Sequence, residues 1–238
     1  METLQNNFDF INGEMLLVDK PLGWTSFDVV NSIRSTIKRT YNIKKIKVGH
    51  AGTLDPLATG LLIVCTGKFT KQIESFQGLD KVYVGSMFIG ATTPSYDKET
   101  EVDQTFETEN ISKNQMLETT KQFIGEIEQT PPVYSAVKID GKRAFEYARK
   151  DNDIKLKSRQ VIIHEFLLLN FDLPEVDFMV NCNKGTYIRS LVNDFGKALN
   201  NGAYMSSLRR TSIGDYSVSD AYSVEELKES IISQSSGL

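Results

Sequence analysis

Cysteine is scarce in this chain of 238 residues: there are two, Cys65 and Cys182, far apart and in no Cys-x-x-Cys pair. A disulfide-stapled extracellular scaffold is excluded, and the pattern fits thiols kept reduced in the cytoplasm. Histidine is equally sparse, with only His50 and His164. With the two cysteines they do not supply the closely spaced ligands that a structural zinc site needs. His164 lies in the apolar run Val161–Leu169, where a structural role is expected. No apolar run approaches the roughly 18 residues of a membrane span; Leu61–Cys65 has the length of a buried strand. Met1–Phe10 lacks the basic and apolar segments of a secretory signal. There is no phosphate loop, because Gly67-Lys68 runs into Phe69 and Gly60 stands at the wrong distance. There is no Gly-x-Ser-x-Gly nucleophile elbow either.

What is present suits a globular chain. Apolar residues make up 40% and charged residues 24%, which excludes wholesale disorder. The formal net charge of −4 argues weakly against a nucleic-acid partner, but the charges are segregated. Arg34, Lys38, Arg39, Lys44, Lys45 and Lys47 fall within fourteen residues that contain no acid. A second basic stretch runs from Lys138 to Arg159, while acids gather in Asp97–Glu128 and Asp215–Glu229. This distribution predicts a basic face for a polyanion and an acidic back. Solvated helix faces would read the same way from charge alone.

Periodicity predicts a strand at Met15–Val18, then a helix capped by Thr25 or Ser26 with Phe27, Val30, Ile33 and Ile37 on one face. Further strands are expected at Leu61–Cys65, Val82–Ile89, Val161–Leu169 and Val176–Cys182. Helices are expected at Phe69–Phe76, after Ser112, after Gly185 and after a Ser223/Glu226 capping box. Asp140-Gly141 marks a hairpin. Hairpins and helices mix without strict alternation. That predicts an α+β fold with a largely antiparallel mixed sheet flanked by helices and loops. The chain is expected to form one domain, with the acidic stretch 92–110 as an insertion.

The informative segment is Gly49-His50-Ala51-Gly52-Thr53-Leu54-Asp55-Pro56-Leu57-Ala58-Thr59-Gly60-Leu61-Leu62. Glycines and a proline fix an irregular backbone directly before a buried strand, and small residues leave room for close approach. Asp55 is the sole carboxylate between Asp28 and Glu74. A lone ionised aspartate on a rigid loop suits nucleophilic catalysis better than a two-carboxylate mechanism. An isolated Asp-Pro is more often an ordinary turn.

This segment resembles the signature of the TruB family, the bacterial tRNA pseudouridine-55 synthases. Other segments resemble the family in the same order: Leu17-Val18-Asp19-Lys20-Pro21 with Gly23, Thr25 and Ser26; Lys81-Val82-Tyr83; Pro131–Lys138 with Gly141-Lys142-Arg143; Cys182–Leu191; and Leu208-Arg209-Arg210-Thr211. The resemblance spans about Met15 to Gly214 and implies the pseudouridine synthase fold. It also implies isomerisation of uridine 55 in the T-arm of tRNA, through an everted base.

By the same resemblance Asp55 is the nucleophile, Arg189 its cationic partner, and Tyr83 the ring that stacks on the base. His50, Tyr187 and Leu208 would line the substrate pocket. Lys20, Pro21, Gly52, Thr53 and Leu54 would support the Asp55 loop. The reaction is an isomerisation without redox change, so no cofactor and no metal is implied. The partner is tRNA, with no membrane and no obligate protein partner, and the enzyme is expected to be a cytoplasmic monomer. Many relatives continue into a C-terminal PUA domain, which is expected to be absent or severely reduced here. Two other readings compete: an RNA-binding or RNA-chaperone module without turnover, and a nucleoside hydrolase. The Asp55, Tyr83 and Arg189 set argues against the first, and the missing second carboxylate against the other.

Overall fold

The structure is a computed structural model describing residues 8–135, 138–139, 141–148 and 156–235. Within the second basic stretch, Asp140, Arg149, Lys150 and Lys155 therefore lie outside the described residues, as do the first seven residues and the end of the tail.

The chain runs through β1 (Met15–Lys20), α1 (Ser26–Thr40), β2 (Val48–His50) and β3 (Ala58–Thr66), then a short 3-10 turn into α2 (Ile73–Gly78). Next come β4 (Lys81–Ile89), β5 (Ala91–Thr92), β6 (Gln104–Thr105), α3 (Lys113–Lys121) and β7 (Gly125–Gln129). After β8 (Lys138–Ile139), β9 (Lys142–Arg143) and α4 (Ala144–Ala148) follow β10 (Arg159–Leu168), β11 (Glu175–Cys182) and α5 (Ile188–Ala198). The last elements are β12 (Ala203–Ile213), β13 (Tyr216–Ser217), β14 (Tyr222–Ser223) and α6 (Val224–Ser235). Two compact units result. One is the chain up to Lys81 together with Arg209 onward, and the other is Val82–Leu208.

In the first unit β1 pairs antiparallel with β3, from Met15↔Cys65 to Lys20↔Gly60. β14 lies parallel to β1, and β2 is antiparallel to β3. β3 is buried on both faces, so its apolar run does not alternate. Leu62 and Val64 enter a core with Val30, Ile33 and Ile37 of α1 and Leu227 and Ile231 of α6. Leu61, Ile63 and Cys65 pack on the opposite side with Phe76 and Ile213. Thr25 caps α1 through a reciprocal box with Asp28. Ser223 and Glu226 make the equivalent box before α6. Phe27, expected on the buried face of α1, is 59% exposed, and Val29 is buried instead. At about 100° per residue, Phe27 points well away from the stripe centred between Ile33 and Ile37.

In the second unit β4, β11, β10 and β7 lie in that order, with the pairs β11/β10 and β10/β7 antiparallel. Phe123, Phe166, Phe178 and Phe195 form an aromatic cluster, with Phe166 and Phe195 5.5 Å apart. The 92–110 stretch is tied down where it begins. β5 pairs with β6, Thr93, Ser95 and Asp97 are buried, and Met205 donates its amide to the Tyr96 carbonyl. Lys138 pairs with Arg143 around Gly141, whose φ of 82° matches the hairpin expectation. The fold is mixed α+β, as the sequence predicts. Among the described residues, no helix is long and apolar enough to cross a membrane.

Candidate active site

The Asp55 loop joins β2 to β3 in the first unit, and its backbone is pinned on each side of the aspartate. Ser26 Oγ accepts from the Leu54 amide at 2.8 Å and donates to the Leu54 carbonyl at 3.1 Å. Because Thr25 takes the helix cap, the Ser26 hydroxyl is left to make this clamp. The Gly23 amide donates to the Pro56 carbonyl at 2.8 Å, and the Ala58 amide to the Asp55 carbonyl at 3.1 Å. Ala51 is anchored to Ile63, also through its amide. Leu54 is buried, while Asp55 and Gly52 are half-buried and Thr53 is exposed. A carboxylate carried this way loses little freedom when it meets a substrate.

Lys20, at the end of β1, is fully buried and donates from Nζ to the carbonyls of Pro21 (2.9 Å) and Trp24 (2.6 Å). Burial pushes its pKa down to about 8; the Asp55 charge opposes that shift, and Arg210 adds to it. Lys20 therefore feels the aspartate electrostatically while its donors hold the backbone that leads into α1. His50 has its pKa lowered by burial and then by Arg210, so the imidazole is neutral at pH 7. Its Nδ1 is buried and has no hydrogen-bond partner among the described residues.

The second unit holds the other expected residues. Arg189, in the first turn of α5, is 3% exposed and donates to the carbonyls of Ser95 (3.1 Å) and Tyr134 (2.8 Å). Its Nη1 lies 3.4 Å from the buried Asp97 carboxylate. Tyr187, the residue before α5, exchanges two backbone hydrogen bonds with the Gln129 side chain. The Arg159 guanidinium lies 4.7 Å above the Tyr187 ring and also holds the Gly185 carbonyl. Tyr83 on β4 and Leu208 on β12 are each buried, at 8% exposure.

Three supporting residues escape the sequence reading: Ser26 as a clamp, Asp97 beside Arg189, and Arg210 near Lys20 and His50. Asp97 reads as one more acid in an acidic stretch. Its burial is the only signal, and burial is not legible there.

Comparison with known proteins decides the family. Residues 38–188 match the model for the TruB family pseudouridylate synthase N-terminal domain. The chain belongs to the TruB family. Residues 189–236 match the tRNA pseudouridylate synthase B C-terminal domain, so Asp55 and Tyr83 fall under the first match and Arg189 and Leu208 under the second. The chain is 54% identical over 224 residues to tRNA pseudouridine synthase B of Flavobacterium johnsoniae, covering 94% of this chain and 98% of that protein. It is 55% identical over 221 residues to the Phocaeicola vulgatus protein of the same name, with 93% and 94% covered. Among solved structures, a chain of a Cbf5-Nop10-Gar1 complex aligns at 27% identity and a TM-score of 0.69, over 95% of this chain and 60% of that one. A chain of an H/ACA RNP bound to a substrate RNA containing 2'-deoxyuridine aligns at 27% identity and a TM-score of 0.65, over 92% and 53%. This TruB-family chain thus spans just over half the length of those two. As a pseudouridylate synthase of that family, it is an isomerase.

Proposed function

We propose that this enzyme converts uridine 55 in the T-arm of tRNA to pseudouridine, with Asp55 as nucleophile. The N1–C1′ bond of the target nucleotide breaks, the base turns, and C5 bonds to C1′. The C5 proton leaves to solvent and N1 gains one, so the product is an isomer and no electrons are exchanged. Asp55 attacks the nucleoside, and the bond it makes breaks again once C5 has joined C1′, which restores the free carboxylate. By the family resemblance Arg189 is its cationic partner and Tyr83 the ring that stacks on the base. Stacking of this kind contributes roughly 1–3 kcal/mol per base. The target base is everted from its loop at a cost of a few kcal/mol. His50, neutral at pH 7, fills the space it leaves. Tyr187 and Leu208 line the pocket.

The observation that carries this reading is the clamped Asp55 loop, in a chain belonging to a pseudouridylate synthase family. A pure binding module has no need of a rigid carboxylate there. The exposed cations Lys38, Arg39, Lys44, Lys45 and Lys47 supply phosphate contacts. The test incubates the enzyme with a T-arm transcript and maps pseudouridine by position. Product at position 55 supports the proposal. Binding without product, or product only elsewhere, refutes it.

A further inference from the structure

Arg210 is the largest fully buried side chain described, at 1% exposure, and lies in β12 next to the partly exposed Arg209. The two arginines do different work. Arg209 forms a two-pronged ion pair with Asp19 at 3.0 and 2.7 Å. Arg210 turns inward, donating from Nε to the Leu61 carbonyl at 2.7 Å and from Nη2 to the Gly52 carbonyl at 3.1 Å. Those carbonyls lie on either side of the segment that carries Asp55. One planar cation therefore ties both ends of the loop together from inside.

The backbone is shaped to allow this. Gly60 has a φ of 104°, and a Cβ there would lie 2.3 Å from the Arg210 carbonyl oxygen. Only glycine lets β12 approach β3 so closely, and that approach starts the Arg210 side chain at the loop's end. Gly52 has a φ of 106°, and a Cβ there would lie 3.6 Å from Arg210 Nη1. A guanidinium cannot shed its proton when buried, and its fork reaches two acceptors at once. A lysine ammonium is a single point charge without that fork. Arg210 also acts on its titratable neighbours, lowering the pKa values of His50 and Lys20.

We propose that Arg210 is a positioning residue, holding the Gly52 and Leu61 carbonyls so that the loop presents Asp55 to the nucleotide. This rests on the reading of Asp55 as nucleophile.

The test compares Arg210→Lys and Arg210→Gln with Asp55→Asn and the unaltered enzyme on a T-arm transcript. It reads single-turnover rate, RNA affinity, and amide exchange at Leu54 and Ala58 in the loop and at Leu227 and Ile231 in α6. Both Arg210 variants are expected to react about a hundredfold more slowly, the loss a misplaced reacting group produces. Their RNA affinity stays unchanged, exchange at Leu54 and Ala58 quickens, and α6 stays protected. An Arg210→Lys rate within about threefold of the unaltered enzyme overturns the inference, as does a rise in KM with kcat unchanged. Should Arg210→Gln not fold, Arg210→Lys decides, since it keeps the stem and the charge. Loss of protection throughout the unit in Arg210→Lys also overturns it, because Arg210 would then hold the core rather than the loop. Turnover by Asp55→Asn refutes the nucleophile reading itself. An inactive Asp55→Asn beside a fully active Arg210→Lys refutes only the positioning role.

Discussion

Ser26 and Leu54 exchange two hydrogen bonds through a single hydroxyl, which accepts from the Leu54 amide and donates to the Leu54 carbonyl. This ties the first turn of α1 to the residue immediately before Asp55. Ser26→Ala leaves a buried donor and a buried acceptor without partners. That costs about 1–3 kcal/mol for the unmade bonds. Chemical denaturation measures the loss. The turnover rate should fall further than the stability change explains, because the loop loosens at the aspartate.

Lys20 titrates near pH 8 rather than near its ordinary 10.5. Between those values the unfolded chain holds more protons than the folded one, so this group makes stability rise with pH across that window. Below pH 8 both states are protonated, and the cost of burying the charge is present in full. Relative to Lys20→Met, the unaltered enzyme should therefore gain stability from pH 8 to 10.5. The Asp55 charge holds the Lys20 pKa up against burial. Asp55→Asn should lower it further, which NMR of labelled lysine side chains can read.

Asp97 and Arg189 are paired at 3.4 Å with side-chain exposures of 3% and 4%. Removing Asp97 takes away the buried counter-charge beside the Arg189 guanidinium, which keeps its bonds to the Ser95 and Tyr134 carbonyls. Asp97→Ala is expected to destabilise the chain by about 3–5 kcal/mol. A double-mutant cycle with Arg189→Met checks this, since the pair should show strong coupling.

Much of this architecture is legible in the sequence because it depends on neighbours in the chain. The Ser223/Glu226 box, the hairpin pairing of β8 with β9 at Gly141 and the run of β3 follow from local chemistry. The roles of Ser26, Asp97 and Arg210 come from partners 28, 92 and about 150 positions away, and no periodicity encodes those distances. From sequence Thr25 and Ser26 are equally good caps for α1; the box with Asp28 gives the cap to Thr25, and that leaves Ser26 for Leu54. Phe27 misleads because an aromatic near a helix start fits the apolar pattern loosely.

Gly60→Ala places a Cβ 2.3 Å from the Arg210 carbonyl oxygen at a φ of 104°. Backbone lies in the way, so no rotamer change relieves the clash. The expected loss exceeds about 4 kcal/mol, among the largest a single substitution produces. Thermal unfolding reads it directly, and Gly78→Ala, with nothing within 4 Å of the added Cβ, is the control.

The most direct measurement is release of the C5 hydrogen from a T-arm transcript labelled at uridine 55, under single-turnover conditions, by purified Asp55→Asn and by the unaltered enzyme. The unaltered enzyme should release one label per RNA, while Asp55→Asn binds the RNA with the same affinity and releases none. Release by Asp55→Asn at a measurable rate would contradict the account.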